Sequence, residues 1–111
     1  MEAGKVDMAR FDVYANPDSA EQKLIPFYLD VQNDHVKGLH TRVVVPLWNA
    51  GLLQAQAEDL NPEFAVAGQR VVMDTPAIGA VPGAALRKTV DNLGTHQLVI
   101  QNALDTLFGS Y

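Results

Sequence analysis

The sequence predicts a mainly β protein: a small, mostly antiparallel barrel or curled sheet of about five short strands, with one C-terminal α-helix packed against it. Three observations predict this. Through residue 74, short apolar runs that alternate or cluster β-branched residues are separated by Asn, Asp, Pro and Gly. Helical periodicity is strong only in the last segment, Thr95 to Tyr111. The chain has 111 residues, 48% of them hydrophobic, which is enough for one core and too little for two domains. The division expected is a loose polar leader over 1–8, with Met8 as an alternative start, and a single domain over 9–111.

Taken in order, Arg10 to Tyr14 puts Phe11 and Val13 on one face and Asp12 and Tyr14 on the other, a half-buried strand. Asn16-Pro17-Asp18-Ser19 is turn chemistry, because Asn and Asp bond their own backbone and Pro presets φ. The second strand spans Ile25 to Val31, with Ile25, Phe27, Leu29 and Val31 facing one way and Tyr28 and Asp30 the other. Pro26 cannot donate to a ladder, so this strand is expected to begin at an edge. Gln32 to His40 is polar, holds Gly38 and reads as a loop. Thr41 to Leu47 is the most β-prone run. Its three valines, 43–45, predict a strand covered on both faces and closed by Pro46.

Trp48 to Asp59, rich in Ala, Leu and Gln, predicts a short helix or an irregular crossing. Glu63–Val66 and Arg70–Asp74 form a hairpin across Ala67-Gly68-Gln69. Thr75 to Ala85, with two prolines and two glycines, is expected to be an irregular surface segment, and Leu86 to Leu93 a short helical turn. In the final helix Val99, Ile100, Ala103, Leu104, Leu107 and Phe108 line the apolar face, while Leu98 falls on the polar side. Thr95 is the expected N-cap and Gly109 the C′ stop, leaving Ser110 and Tyr111 as a tail open to a partner.

Composition narrows the function. There is no cysteine, which excludes disulfides, thiolate metal sites and cysteine nucleophiles. No apolar run approaches the roughly 20 residues of a membrane span, and no basic-then-apolar leader resembles a signal peptide. A soluble cytoplasmic protein is the expectation. The net charge is −5, and the basic residues are scattered, with Arg87-Lys88 their only adjacent pair. Unaided nucleic-acid binding needs a clustered positive surface, so a protein partner is expected instead.

Catalytic apparatus is sparse. Ser19 lies in a turn and Ser110 next to the end, and neither sits in a nucleophile elbow. Asp30, Asp34, His35 and His40 have ligand chemistry but no metal-site spacing, and read as a solvated connector. His96 is expected as a partly buried side chain at the seam of sheet and helix, Trp48 in the core or as a partner anchor, and the stems of Arg42 and Arg70 over a sheet face.

Four segments carry a resemblance. Phe27-Tyr28-Leu29-Asp30-Val31-Gln32-Asn33-Asp34 resembles the second strand and following loop of the CcdB family, toxins of plasmid and chromosomal toxin–antitoxin modules. Arg42-Val43-Val44-Val45-Pro46-Leu47, followed by Gly51-Leu52-Leu53, is similar to that family's next strand and its exit. Phe11-Asp12-Val13-Tyr14 and Ile100-Gln101-Asn102-Ala103-Leu104 fit its early strand and late helix, with a modest insertion in the first hairpin.

The resemblance covers nearly all the chain from Met8 and implies an SH3-like barrel with a side sheet and a C-terminal helix. It further implies a symmetric homodimer that binds DNA gyrase, traps it on cleaved DNA, and is neutralised by an antitoxin whose C-terminal segment orders on binding. By position, the contact residues are Phe108, Gly109, Ser110 and Tyr111. The family typically ends Trp-Gly-Ile after a Phe, whereas Gly109-Ser110-Tyr111 follow Phe108 here, so at most Gly109 is kept. The expectation is a non-enzymatic toxin acting on gyrase or a related type II topoisomerase, with no cofactor or metal. The alternatives are an endoribonuclease toxin on the same barrel, like MazF, and a CcdB-like binding protein whose target is different or lost.

Overall fold

The structure, a computed structural model, describes residues 9–34, 39–53 and 57–109. The expected leader at 1–8, His35, Ser110 and Tyr111 lie outside the described residues. In chain order the elements are β1 (Asp12–Ala15), β2 (Phe27–Asp30), β3 (Thr41–Asn49), β4 (Glu63–Val66), β5 (Gln69–Met73), β6 (Gly79–Pro82), β7 (Thr89–Asn92) and α1 (Gln97–Phe108). Single 3₁₀ turns occupy Thr75–Ala77, Gly83–Ala85 and Gly94–His96.

The strands form one curled antiparallel sheet, ordered β4-β5-β3-β2-β1-β7, with β6 added beside β3. The mainly β class with one C-terminal helix is therefore as the sequence predicts. Rows of cross-strand neighbours build the core. Val13 lies opposite Leu29, and Leu29 opposite Val45. Phe27 lies opposite Leu47, which faces Met73. Together with Val71, Phe64 and Phe11 they receive Ile100, Ala103 and Leu104 of α1 on one face.

The other face is covered too. Tyr14, Val44 and Leu86 are buried there, with Tyr28 and Val81 packed around them. Asp12 and Tyr14 thus do not form a solvated face, because the segment after β6 folds across it. Both faces of 43–45 are covered, as their unbroken apolarity requires.

Several expectations are corrected. Pro46 does not close β3, which runs on to Asn49. Its carbonyl accepts the Asp74 N–H at 3.0 Å, so its missing N–H points the same way, toward the gap between β6 and β5, and no bond to β2 is lost. Pro26 precedes an interior strand rather than an edge, since β2 lies between β1 and β3. The segment 75–85 contains β6, because the edge of Thr41–Val44 offers a ladder that Gly and Pro do not prevent. Within 86–93 the chain forms β7, paired to β1 around a bulge between Val13 and Tyr14. Of the two alternatives for Trp48 to Asp59, the described residues show the irregular crossing and no helix, with β3 ending in turns. The β4–β5 loop has two residues, since Gln69 already pairs with Val66. Ala67 and Gly68 have φ of +48° and +79°, the backbone sign of a type I′ turn that matches strand twist.

Among the described residues one ion pair lies inside. Asp30 is fully buried, and its Oδ2 accepts Nε–H of Arg42 at 2.8 Å. Arg42 Nη2 stands 2.7 Å from the same oxygen as a charge contact without hydrogen-bond alignment, because one oxygen serves both nitrogens. Oδ1 takes the N–H of Gln32. Arg42 thus buries its guanidinium instead of laying only its stem on the sheet. Burial holds the Asp30 carboxyl above its usual 3.8, against the lowering effects of the Gln32 N–H and Arg42. Burial, with Asp12 and Asp30 nearby, also pushes the Tyr14 phenol up to about 12.

Two outcomes follow from this packing. Ala67→Asn places a residue that tolerates positive φ in the turn, and should raise stability by about 0.5–1 kcal/mol in urea unfolding. Arg42→Met strands a buried carboxylate and should cost about 3 kcal/mol or more near neutral pH. The folded protein holds the Asp30 proton more tightly than the unfolded chain does. This group's contribution therefore falls as pH rises above about 4, and the stability of Arg42→Met should fall more steeply than that of wild type as pH rises from there.

Candidate functional site

The end of α1 is the part of the molecule that the sequence marks as open to a partner, and the helix shows how it is built. No side chain caps its start. Thr95 lies in the 3₁₀ turn and His96 takes the N-cap position without a side-chain bond. Capping is moved upstream: Asn92 Oδ1 accepts the Gly94 N–H at 2.7 Å, and the Gln97 N–H bonds the Gly94 carbonyl. A Cβ on Gly94 would stand 2.8 Å from that Asn92 oxygen, so a larger residue there would push the Asn92 side chain off its bond.

Ile100, Ala103 and Leu104 are buried, and Leu98 is exposed as its phase requires. Val99 and Phe108, expected on the apolar face, are 46% and 67% exposed. At 100° per residue they stand about 90° to either side of the buried stripe, so they flank the contact instead of filling it. The helix stops at Gly109, whose φ of +68° is the left-handed C′ geometry expected there, with its N–H on the Asp105 carbonyl at 2.8 Å. Phe108 is therefore displayed at a fixed end. Of the other positional contact residues, Gly109 carries the cap, and Ser110 and Tyr111 lie outside the described residues.

The flank that carries Phe108 is polar higher up. Gln101, Asp105 and Phe108 follow at i, i+4 and i+7, and Gln101 Nε2 donates to Asp105 Oδ1 at 3.1 Å. Arg10 reaches this flank from the other end of the chain, its Nη2 donating to Gln101 Oε1 at 3.1 Å. Sequence reasoning treats Arg10 as one scattered cation. The two residues are 91 positions apart, and no local pattern announces their meeting.

The remaining candidates do not converge. Asp30 is committed to Arg42, Asp34 Oδ1 accepts the Arg10 N–H at 2.7 Å, and His40 sits just before β3, its carbonyl on the Gly83 N–H. Among the described residues no three His, Asp or Glu side chains gather as metal ligands. His96 is at the seam but exposed rather than partly buried, because it lies on the rim of the sheet with its ring tilted against the buried Phe64 ring at 5.2 Å. Trp48 is half-buried, with its indole N–H on Asp74 Oδ2 at 3.0 Å, neither wholly core nor a free anchor. Arg70 is exposed and paired to Glu63 at 2.6 Å, beside an open groove of about 440 Å³ next to Asn49 and Gly51. That groove presents no unpaired charge for an acid–base role. No described helix is long and apolar enough to cross a membrane.

Comparison with protein families gives a match to the family described as CcdB protein, over residues 10–109. Comparison with curated proteins gives no match. The matched span takes in all seven strands and the helix up to its glycine stop, the same region that the four resembling segments mark out. The chain belongs to the CcdB family, and that membership supports its reading as the toxin of a toxin–antitoxin module.

Proposed function

We propose that this protein is a non-enzymatic toxin that binds DNA gyrase, or a related type II topoisomerase, through the end of α1 and traps the enzyme on cleaved DNA. The observation that carries the reading is the exposed Phe108 ring at a glycine-capped helix end, within a CcdB-family chain. A protein that does no chemistry holds an enzyme in mid-cycle only by binding that state more tightly than the others. An apolar ring on a rigid helix suits the task, because little freedom is lost when it enters a pocket. The acidic balance of the chain favours a basic partner surface and speeds encounter with one.

The ribonuclease alternative draws less support. It requires a basic groove beside an acid–base pair, whereas Arg42 is buried on Asp30 and the Arg70 charge in the open groove is neutralised by Glu63. We further propose a cognate antitoxin with a segment that orders on binding, and a symmetric homodimer, the common means for a small domain to cover incomplete surface.

DNA supercoiling and cleavage assays test the target. Wild type should stabilise cleaved DNA. Phe108→Ala should fold normally, since the ring is mostly exposed. It should weaken binding by about 2 kcal/mol, roughly thirtyfold, and Tyr111→Ala should act in the same direction. Wild type without effect on cleavage overturns gyrase as the target. Light scattering should give about twice the 12.1 kDa chain mass at micromolar concentration, and a monomer would refute the dimer.

A further inference from the structure

Among the described residues, Phe11 and Ala67 are the non-glycine positions with positive φ. Ala67 lies in a hairpin turn that calls for it. Phe11, at +72°, lies just before β1 with its ring buried, a conformation costing an aromatic residue about 1–2 kcal/mol. Both of its backbone groups are held: the N–H donates to the Asp30 carbonyl at 2.7 Å, and the carbonyl accepts the Leu93 N–H at 2.8 Å. The kink keeps the ring in the core and turns the preceding residue out of line with β1, into the seam between the end of β2 and α1.

Arg10 fills that seam. Its N–H donates to Asp34 Oδ1 at 2.7 Å, Nε to the Val31 carbonyl at 3.2 Å, and Nη2 to Gln101 Oε1 at 3.1 Å. Its guanidinium carbon stands 4.8 Å from the centre of the Phe11 ring. Gln101 passes the contact to Asp105, whose carbonyl holds the Gly109 N–H beside Phe108. The two acceptors of the Arg10 guanidinium, the Val31 carbonyl and Gln101 Oε1, are neutral, so direction sets these contacts. A planar guanidinium donates two ways at once with its face on a ring, and a lysine ammonium does not.

We propose that Arg10 is a positioning residue, fixing α1 at Gln101 in its second turn against Val31–Asp34 and so setting the direction in which Phe108 is presented. The buried stripe of Ile100, Ala103 and Leu104 holds the helix to the sheet along one line, and Arg10 adds a side contact that limits rocking about it. The inference rests on reading that helix end as the partner-binding one.

Arg10→Met keeps the apolar stem and removes the donors. Amide hydrogen exchange at Phe108 and Gly109 should quicken about tenfold in Arg10→Met and in Gln101→Ala, and no further in the double variant. Amides of Val44 to Leu47 should be unchanged, which separates positioning from general destabilisation. Arg10→Lys should behave as Arg10→Met does. Binding to purified gyrase should weaken about tenfold in Arg10→Met while its melting curve stays cooperative. Unchanged exchange at the helix end, additive effects in the double variant, or full recovery with lysine would each overturn the proposal. Wild type that does not bind gyrase would remove the proposed target, and the exchange measurement on the free protein would still decide the role of Arg10.

Discussion

Everything in the fold depends on β3 having three strand partners. One of its edges is taken by β2, and the other is divided between β6 over Thr41–Val44 and β5 over Leu47–Asn49. A strand whose second edge is divided in this way cannot continue as a flat sheet, because the two partners twist away from each other. Pro46 occupies the division. Its fixed φ and missing N–H would break a continuous ladder, yet here the missing donor faces the gap and the carbonyl is used by Asp74. The curl that results leaves one concave face, and α1 fills it.

The curl also explains the buried charge. Asp30 is opposite Val44 on the face that the segment from β6 to β7 covers, and Arg42 is two residues along β3 on that same face. Covering this face removes water from both side chains, so neither is tolerable without the other. The pair consequently ties β2 to β3 on the side away from the helix, while apolar contacts tie them on the near side. The strands that position α1 are held from both faces, which is a firm base for a helix expected to carry a partner's load.

How much of this is legible in the sequence depends on how local each cause is. The central strand is visible because three consecutive valines have few other uses. The helix stop is visible because a glycine after a 3.6-residue pattern has a local stereochemical meaning. The helix start is not, since the group that steadies it is Asn92, in the preceding strand, and no capping motif records that. Strands β6 and β7 are hidden for a related reason: Gly, Pro and small residues give them no pattern, and what makes them strands is the open edges of β3 and β1. Tyr14 and Asp30 read as outward-facing because alternation says nothing of what later folds over them. At the helix end the displayed Phe108 is half-legible, its position in the chain plain and its exposure not. Arg10 is illegible altogether, its partner lying almost a full chain length away.

The indole of Trp48 has an optical consequence. It is the sole tryptophan, half-buried where β3 meets β5 and tethered to Asp74 just before the 3₁₀ turn Thr75–Ala77. Under tryptophan-selective excitation the emission of this protein therefore reports the division of the sheet and nothing at the helix end, whose described aromatic is a phenylalanine. Melting of the sheet moves the indole into water and reddens its emission. An event confined to Phe108 leaves the emission unchanged, so in a titration against a tryptophan-bearing partner the changing light belongs to the partner.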